Sequence, residues 1–226
     1  MKAFRAAGDS RGIALFDLDG TITRHDALAP YLAGFAWRHP RRWPRLWRVV
    51  PALLDYALRG RDRGRLKSRM IRIVMGGEPR ATIDAWSERF VRSLAPRGAL
   101  HAQARAAIEA HRAAGDRLVL LSASPDLFVP RIGRELGFDQ VICTEVRWDG
   151  ERLDGALLTP NRRDLEKVRC LEALRREFPD RPIVAYGNSS ADLPHLERVE
   201  RGVLVNGNAA ARRRAQRAGI ATVRWR

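Results

Sequence analysis

The sequence predicts an α/β protein, a doubly wound, mostly parallel Rossmann-like sheet with an inserted, all-helical cap. Three observations predict it. Short, wholly apolar runs alternate with segments of helical period. The runs close in polar loops rich in Asp, Ser, Asn and Gly, as strands buried on both faces do. A stretch of roughly seventy residues after the first run then carries helical patterns and no convincing strand, far more than one crossover needs.

In chain order, Ile13-Ala14-Leu15-Phe16 reads as a central strand, closed by Asp17-Leu18-Asp19-Gly20-Thr21. Helical candidates follow near Ala27–Trp37, Leu46–Leu58, Arg65–Met75 and Thr82–Leu94. They divide the chain into a core of residues 1–23 and 97–226 and a cap of residues 24–96, set where it can lid the first strand's end. Ala99–Ala114 is helical and stops at Gly115. Leu118–Leu121 is the second strand, ended by Ser122 in Ser122-Ala123-Ser124-Pro125, and Leu127–Leu136 is a helix stopping at Gly137. Val141-Ile142-Cys143 is a third strand. Glu145–Trp148 and Leu153–Leu158, joined through Asp149-Gly150, read as a hairpin flanking the active edge. After a helix over Leu165–Phe178 come a strand at Pro182–Tyr186, closed by Gly187-Asn188-Ser189, and another at Gly202–Val205. A helix over Ala209–Ala218 and an edge strand at Ile220–Val223 complete the pattern.

Bulk properties narrow the class. At 226 residues and 45% hydrophobic, the chain can fill one sizeable core, or a core with an insert. Cys143 and Cys170 lack metal-ligand spacing and read as buried thiols rather than a disulfide framework. Met1–Arg11 has no apolar run of the signal-peptide kind, and Leu46–Leu58, interrupted by Arg48, Pro51 and Asp55, is too short to span a bilayer. The expected location is cytoplasmic, with peripheral contact at the inner membrane face as an option. The formal charge is +16, and residues 24–80 alone hold fourteen Lys or Arg against four Asp or Glu. Such a surface suits nucleic acid, an anionic membrane, an acidic substrate or merely solvent. Zinc-finger spacing, RNA-binding aromatics and a basic zipper are all missing, so no specific nucleic-acid partner is expected.

The chemistry concentrates at strand ends. Asp17 and Asp19, two apart on extended chain, project the same way, and like charges that close demand a cation or a shared proton. A hard, oxygen-liganded ion such as Mg²⁺ fits. Thr21 can donate to phosphate oxygens, Ser122 can hold an anion, and Lys167 supplies a point charge suited to phosphate. Asn188 and Asp192 offer further oxygen ligands, although Ser189, Ser190 and Asp192 also suit a helix N-terminus.

Together Asp17-Leu18-Asp19-Gly20-Thr21-Ile22-Thr23, Ser122, Lys167 and Gly187-Asn188-Ser189-Ser190-Ala191-Asp192 resemble the four ordered motifs of the haloacid dehalogenase-like hydrolase superfamily. The helical insert, the Ser-Ala-Ser-Pro and the hairpin resemble its phosphoserine-phosphatase-like branch. The resemblance implies a phosphatase in which Asp17 is the nucleophile, forming a phospho-aspartyl intermediate, and Asp19 the general acid and base. It implies phosphate held by Thr21, Ser122 and Lys167. Its metal shell would be the Asp17 carboxylate, the Asp19 backbone carbonyl, Asn188 and Asp192 around Mg²⁺. Where the fourth motif often begins Gly-Asp, this chain has Gly187-Asn188, which removes one negative charge and implies weaker metal binding.

For the substrate, the resemblance points to a small phosphate monoester of the phosphoserine kind. Asp26 stands where an acidic residue grips the substrate amine in that branch, and Arg69 and Arg72 are candidates for a carboxylate. Asp26 reads equally as a helix N-terminal acid. The cap also holds Trp43, Trp47, Val49, Val50, Leu53, Leu54, Tyr56 and Leu58, flanked by Arg38, Arg41, Arg42, Arg45, Arg59, Arg61 and Arg63. That layout is similar to the phosphatidylglycerophosphatase members of the branch, so a lipid phosphatase at a membrane surface is the alternative. The other reading buries this segment on the core with its arginines in water. A nucleic-acid-binding protein and a catalytically dead scaffold are further alternatives.

Overall fold

The computed structural model describes residues 11–58 and 62–226. Arg59 and Arg61 of the cap, and residues 1–10 of the N-terminus, lie outside the described residues. The core is a six-stranded parallel sheet. Its strands, in chain order, are β1 (Ile13–Phe16), β2 (Arg117–Pro125), β3 (Gln140–Thr144), β6 (Ile183–Gly187), β7 (Arg201–Val205) and β8 (Ala221–Val223), with β4 (Val146–Asp149) and β5 (Arg152–Leu157) forming a separate antiparallel hairpin. Spatial order is β3-β2-β1-β6-β7-β8, so the chain winds outward both ways from β1. Ile13 pairs with Arg117 on one side and Ile183 on the other, and Phe16 with Leu120 and Tyr186. Asp17 therefore leaves the sheet at its carboxyl edge, where its N–H still donates to the Tyr186 carbonyl at 2.9 Å.

All four β1 residues are buried, and their alternation divides the interior into two clusters. Ile13 and Leu15 join Val119, Leu121, Leu171 and Leu204 on one face. Ala14 and Phe16 join Leu118, Leu120 and Ile108 on the other, and that cluster runs on into the cap through Tyr31, Phe35, Ile71, Met75, Ile83 and Phe90. Burying each large side chain contributes about 1.5–3 kcal/mol, so cap and sheet are held by one shared apolar interior.

The cap comprises α1 (Leu28–Arg38), a 3₁₀ segment (Pro40–Arg48), α2 (Val49–Leu58), α3 (Arg63–Met75) and α4 (Arg80–Arg92). Tyr31 of α1 packs 5.1 Å from Phe90 of α4 and 4.7 Å from Phe128, which follows the second strand. The chain enters and returns at one place: Arg24 N–H donates to Ala99 O at 2.8 Å, and His101 N–H to Ile22 O at 2.9 Å. The hairpin docks on the α3 side, with Gly77 N–H on Leu153 O (2.7 Å) and Arg80 N–H on Glu151 O (2.8 Å). On the core, α5 (Ala102–Ala113), α6 (Val129–Glu135), α7 (Leu165–Glu177), α8 (Leu193–Leu196) and α9 (Ala209–Arg217) link the strands.

Three expectations are corrected. The second strand does not stop at Ser122 but continues to Pro125, with its pairing to β3 shifting between Leu121 and Pro125. The irregularity lets Ser122-Ala123-Ser124 stay extended. Leu46–Leu58 is not one helix, because Pro40 and Pro44 hold the preceding chain in a 3₁₀ coil; Pro51 sits in the first turn of α2, where a missing N–H costs nothing. Nor is that segment buried on the core, since of α2 only Ala52 is buried. Cys143 and Cys170 are free and buried, as expected.

Candidate active site

The loop after β1 turns at Gly20, whose φ of +80° favours a residue without Cβ. A Cβ there would also lie 2.0 Å from the Asn188 side-chain nitrogen, so glycine lets the loops after β1 and β6 touch. This brings Asp17, Lys167 of α7 and Asp192 together across three elements. Lys167 Nζ donates to Asp17 Oδ1 at 2.6 Å and to Asp192 Oδ1 at 2.7 Å, and all three side chains are buried. Asp17 Oδ2 accepts the Thr21 hydroxyl at 3.0 Å. Asp192 Oδ2 accepts Asn188 N–H (3.2 Å), Ser189 N–H (2.9 Å) and Ser189 Oγ (2.7 Å), so it braces its own loop rather than capping α8.

Asp19 turns the other way. Its Oδ1 accepts Ala27 N–H at 2.8 Å, and its Oδ2 accepts Ser124 Oγ at 2.6 Å. Ser122 Oγ accepts Ser124 N–H at 3.0 Å and is fully buried beneath that contact.

These groups floor a cavity of about 300 Å³. Asp17, Asp19, Lys167, Asn188 and Asp192 line it, Asp26 stands at its wall, and Leu28, Leu32, Leu66 and Met70 give it an apolar side. Asp26 is exposed and its Oδ1 accepts Leu28 N–H at 2.8 Å, so it also serves the start of α1. Thr21 and Ser122 lie just behind the lining. Arg69 and Arg72 are not brought to the cavity: Arg69 pairs with Asp55, and Arg72 with Asp154 at 2.8 Å. Helical period explains this, because Arg63, Leu66, Lys67 and Met70 form the stripe of α3 that faces the cavity. Besides Lys167, the cations that do line it are Arg63, Lys67 and Arg163, of which Lys67 hydrogen-bonds Ala123 O and, at 2.6 Å, Asn161 Oδ1. Sequence reading missed these three, with Asn161 and Ser124. Spacing along α3 could have found Arg63 and Lys67, and period two from Ser122 could have found Ser124.

Electrostatics set each group apart. Burial pushes the Asp17 carboxyl up to about 7 against the pull of Lys167, with Asp192 and Asp19 pushing the same way. Asp192 is held below the ordinary range: Lys167 and His195 outweigh the cost of its burial. Burial, then the charge of Asp26, raises Asp19 against the bonds from Ser124 and Ala27. Burial lowers Lys67 to about 8, opposed by Asp19 and Asp26. Asp17 and Asp192 thus face a single buried ammonium, an excess of negative charge that a hard cation would offset. Among the described residues no group of three or more His, Cys, Asp or Glu could by itself hold a metal ion. Asn188 is an amide and the Asp19 side chain points away, so an ion here would need carboxylate, amide and main-chain oxygen together.

A parallel sheet with paired carboxylates at its central strand's end, a lysine bridging two of the acids, and a helical cap over the pocket define a capped α/β hydrolase. The chain belongs to the haloacid dehalogenase-like hydrolase family, whose model matches residues 14–197. It is 38% identical to protein CicA of Caulobacter vibrioides over 188 residues, 81% of either chain. Among solved structures, a Bordetella pertussis protein of unknown function superposes with a TM-score of 0.81 at 26% identity, covering 95% of this chain and 98% of that one. A HAD family hydrolase from Salmonella enterica serovar Typhi gives 0.69 at 20% identity, over 95% and 68%. A substrate-bound phosphoserine phosphatase gives 0.66 at 15% identity, over 95% and 94%, and shares the fold. The chain is a phosphatase of the haloacid dehalogenase-like type, in a family that generally uses Mg²⁺.

Proposed function

We propose that the chain is a Mg²⁺-dependent phosphomonoesterase that works through a phospho-aspartyl intermediate on Asp17 and acts on a small phosphate monoester of the phosphoserine kind. The observation that carries this reading is Lys167 Nζ between Asp17 Oδ1 and Asp192 Oδ1, at 2.6 and 2.7 Å, on the floor of the cavity. An ammonium so placed cancels the repulsion between an attacking carboxylate and an arriving phosphate dianion. The Asp17 carboxylate, the Asp19 main-chain carbonyl, Asn188 and Asp192 would hold Mg²⁺, which would supply the rest of that neutralisation.

Asp17 attacks phosphorus and the ester P–O bond breaks, while Asp19, whose raised pKa keeps a proton available, gives it to the departing alcohol. Asp19 then takes a proton from the water that attacks the acyl phosphate, which releases phosphate and restores Asp17. Thr21 and Lys167, now on the Asp17 oxygens, turn to phosphoryl oxygens, and Ser122, whose Oγ accepts the Ser124 N–H, is the third phosphate-binding group of this reading. Those donors address only the phosphoryl group, so choice among alcohols falls to residues 24–96. Asp26, with Arg63 and Lys67, offers an acid and two cations to an amino-acid-like alcohol.

The test is hydrolysis of p-nitrophenyl phosphate, phosphoserine, phosphocholine and sugar phosphates with Mg²⁺ or EDTA. Asp17→Asn is expected to lower turnover at least about a thousandfold with an unchanged circular dichroism spectrum. Near-wild-type turnover by the pure variant would remove Asp17 from the chemistry.

A further inference from the structure

The cap carries a surface that catalysis does not use. Trp37 (76% exposed), Trp47 (66%), Leu54 (56%) and Leu58 (82%) stand in solvent, with Trp43, Val50 and Leu53 about half exposed. Large exposed apolar patches are uncommon on a folded protein and mark contact surfaces. The arrangement is directional. Ala52 of α2 is buried, and Asp55 ties the helix to Arg69 of α3, whereas Val50, Leu54 and Leu58 recur every four residues on a different face. Trp37 and Trp43 lie 6.0 Å apart, and the Arg48 guanidinium sits 5.7 Å over the Trp47 ring. Arg38, Arg41, Arg45 and Arg48 are exposed around these rings, and residues 27–54 contain no Asp or Glu.

From this we infer that the 3₁₀ segment and α2 form a docking face for an anionic lipid bilayer, on which the enzyme sits peripherally. Three properties select a bilayer. Tryptophans favour the interfacial zone, where a ring is apolar on one side and hydrated at its N–H. A rim of arginine, with the one acid of these two elements, Asp55, paired to Arg69 of α3, matches anionic headgroups. A second copy of the chain fits badly, because a two-fold contact would set the arginine rim against itself. No described helix is long and apolar enough to cross a membrane, so the attachment is to the surface. The inference stands apart from the catalytic reading, since none of these residues lines the cavity.

The experiment is co-sedimentation of the full chain with phosphatidylcholine vesicles, with and without about one-third phosphatidylglycerol, from about 50 to about 300 mM salt. Binding is expected only with phosphatidylglycerol, and it should weaken with salt. Arg41→Gln/Arg45→Gln/Arg48→Gln should cut partition on the order of a hundredfold, about fivefold per arginine. Trp47→Ala/Leu54→Ser should cut it at least about tenfold. Both variants should hydrolyse soluble p-nitrophenyl phosphate like wild type, which shows that they are folded. If the apolar double variant does not fold, the arginine variant decides. No sedimentation with anionic vesicles overturns the proposal, as does equal binding to neutral ones. So does a concentration-dependent dimer that Trp47→Ala/Leu54→Ser abolishes, which would make the face a self-contact.

Discussion

Asn188 sits against Gly20, so close that only glycine leaves it room. It places a neutral amide where the family's fourth motif often has a carboxylate, beside Asp17 and Asp192. Asn188→Asp keeps the shape and adds a charge, so the variant is expected to stay active and reach half activation at roughly three- to tenfold lower Mg²⁺. Metal titrations of the two proteins that coincide would put Asn188 outside the ion's shell. At this scale the sequence was informative wherever a polar residue closes an apolar strand, as at Asp17 and Asp19 or in the Gly187–Asp192 loop. It was silent on orientation. That Asp19 points to Ala27 and Ser124 while Asp17 meets Lys167 depends on a turn, not on spacing. Arg69 and Arg72 were indistinguishable in sequence from Arg63 and Lys67 until the helix fixed which stripe faces the pocket.

Among the elements, the 3₁₀ segment is held by one buried arginine. Arg42 Nε donates to Glu78 Oε1 at 2.5 Å, and its other nitrogens to Val74 O at 3.2 Å and Gly76 O at 3.0 Å. It therefore closes the C-terminal end of α3, where carbonyls lack helical partners and a cation suits the dipole. Arg42→Ala leaves those carbonyls and Glu78 half-buried without a donor, and is expected to cost about 3 kcal/mol in urea unfolding. Arg41→Ala, on an exposed neighbour, should change stability by less than about 0.5 kcal/mol. Equal effects would show that Arg42 is no anchor. The arginine run reads alike at Arg41, Arg42 and Arg45, so burial at 42 was not legible. The α/β alternation and the hairpin were legible, because strand and helix periods are local. The length of β2 was not, since Ser-Ala-Ser-Pro reads as a loop until β3 pairs with its end.

Across the whole molecule, folding excludes a proton at His195. This side chain is 1% exposed, its Nδ1 has no hydrogen-bond partner, and burial together with Lys167 lowers its pKa to about 3, opposed by Asp192. The unfolded chain binds that proton below about 6.5, so the unfolded state holds more protons between pH 6.5 and 3. The stability from this group is complete above pH 6.5 and falls with pH through that window, by roughly 1.4 kcal/mol per unit. Urea midpoints should therefore fall faster from pH 6.5 to 4.5 for the wild type than for His195→Met. Parallel curves would mean that the histidine is not desolvated.

Asp19 divides its two oxygens between Ala27, where the chain turns into the cap, and Ser124 on the sheet. It thereby reports the distance between two bodies. If the first cap helix moved outward, the carboxylate would lose a main-chain donor, which favours the proton, but also part of the burial that is the larger cause of its raised pKa. In the proposed chemistry the acid therefore holds its proton best with the cap seated on the sheet.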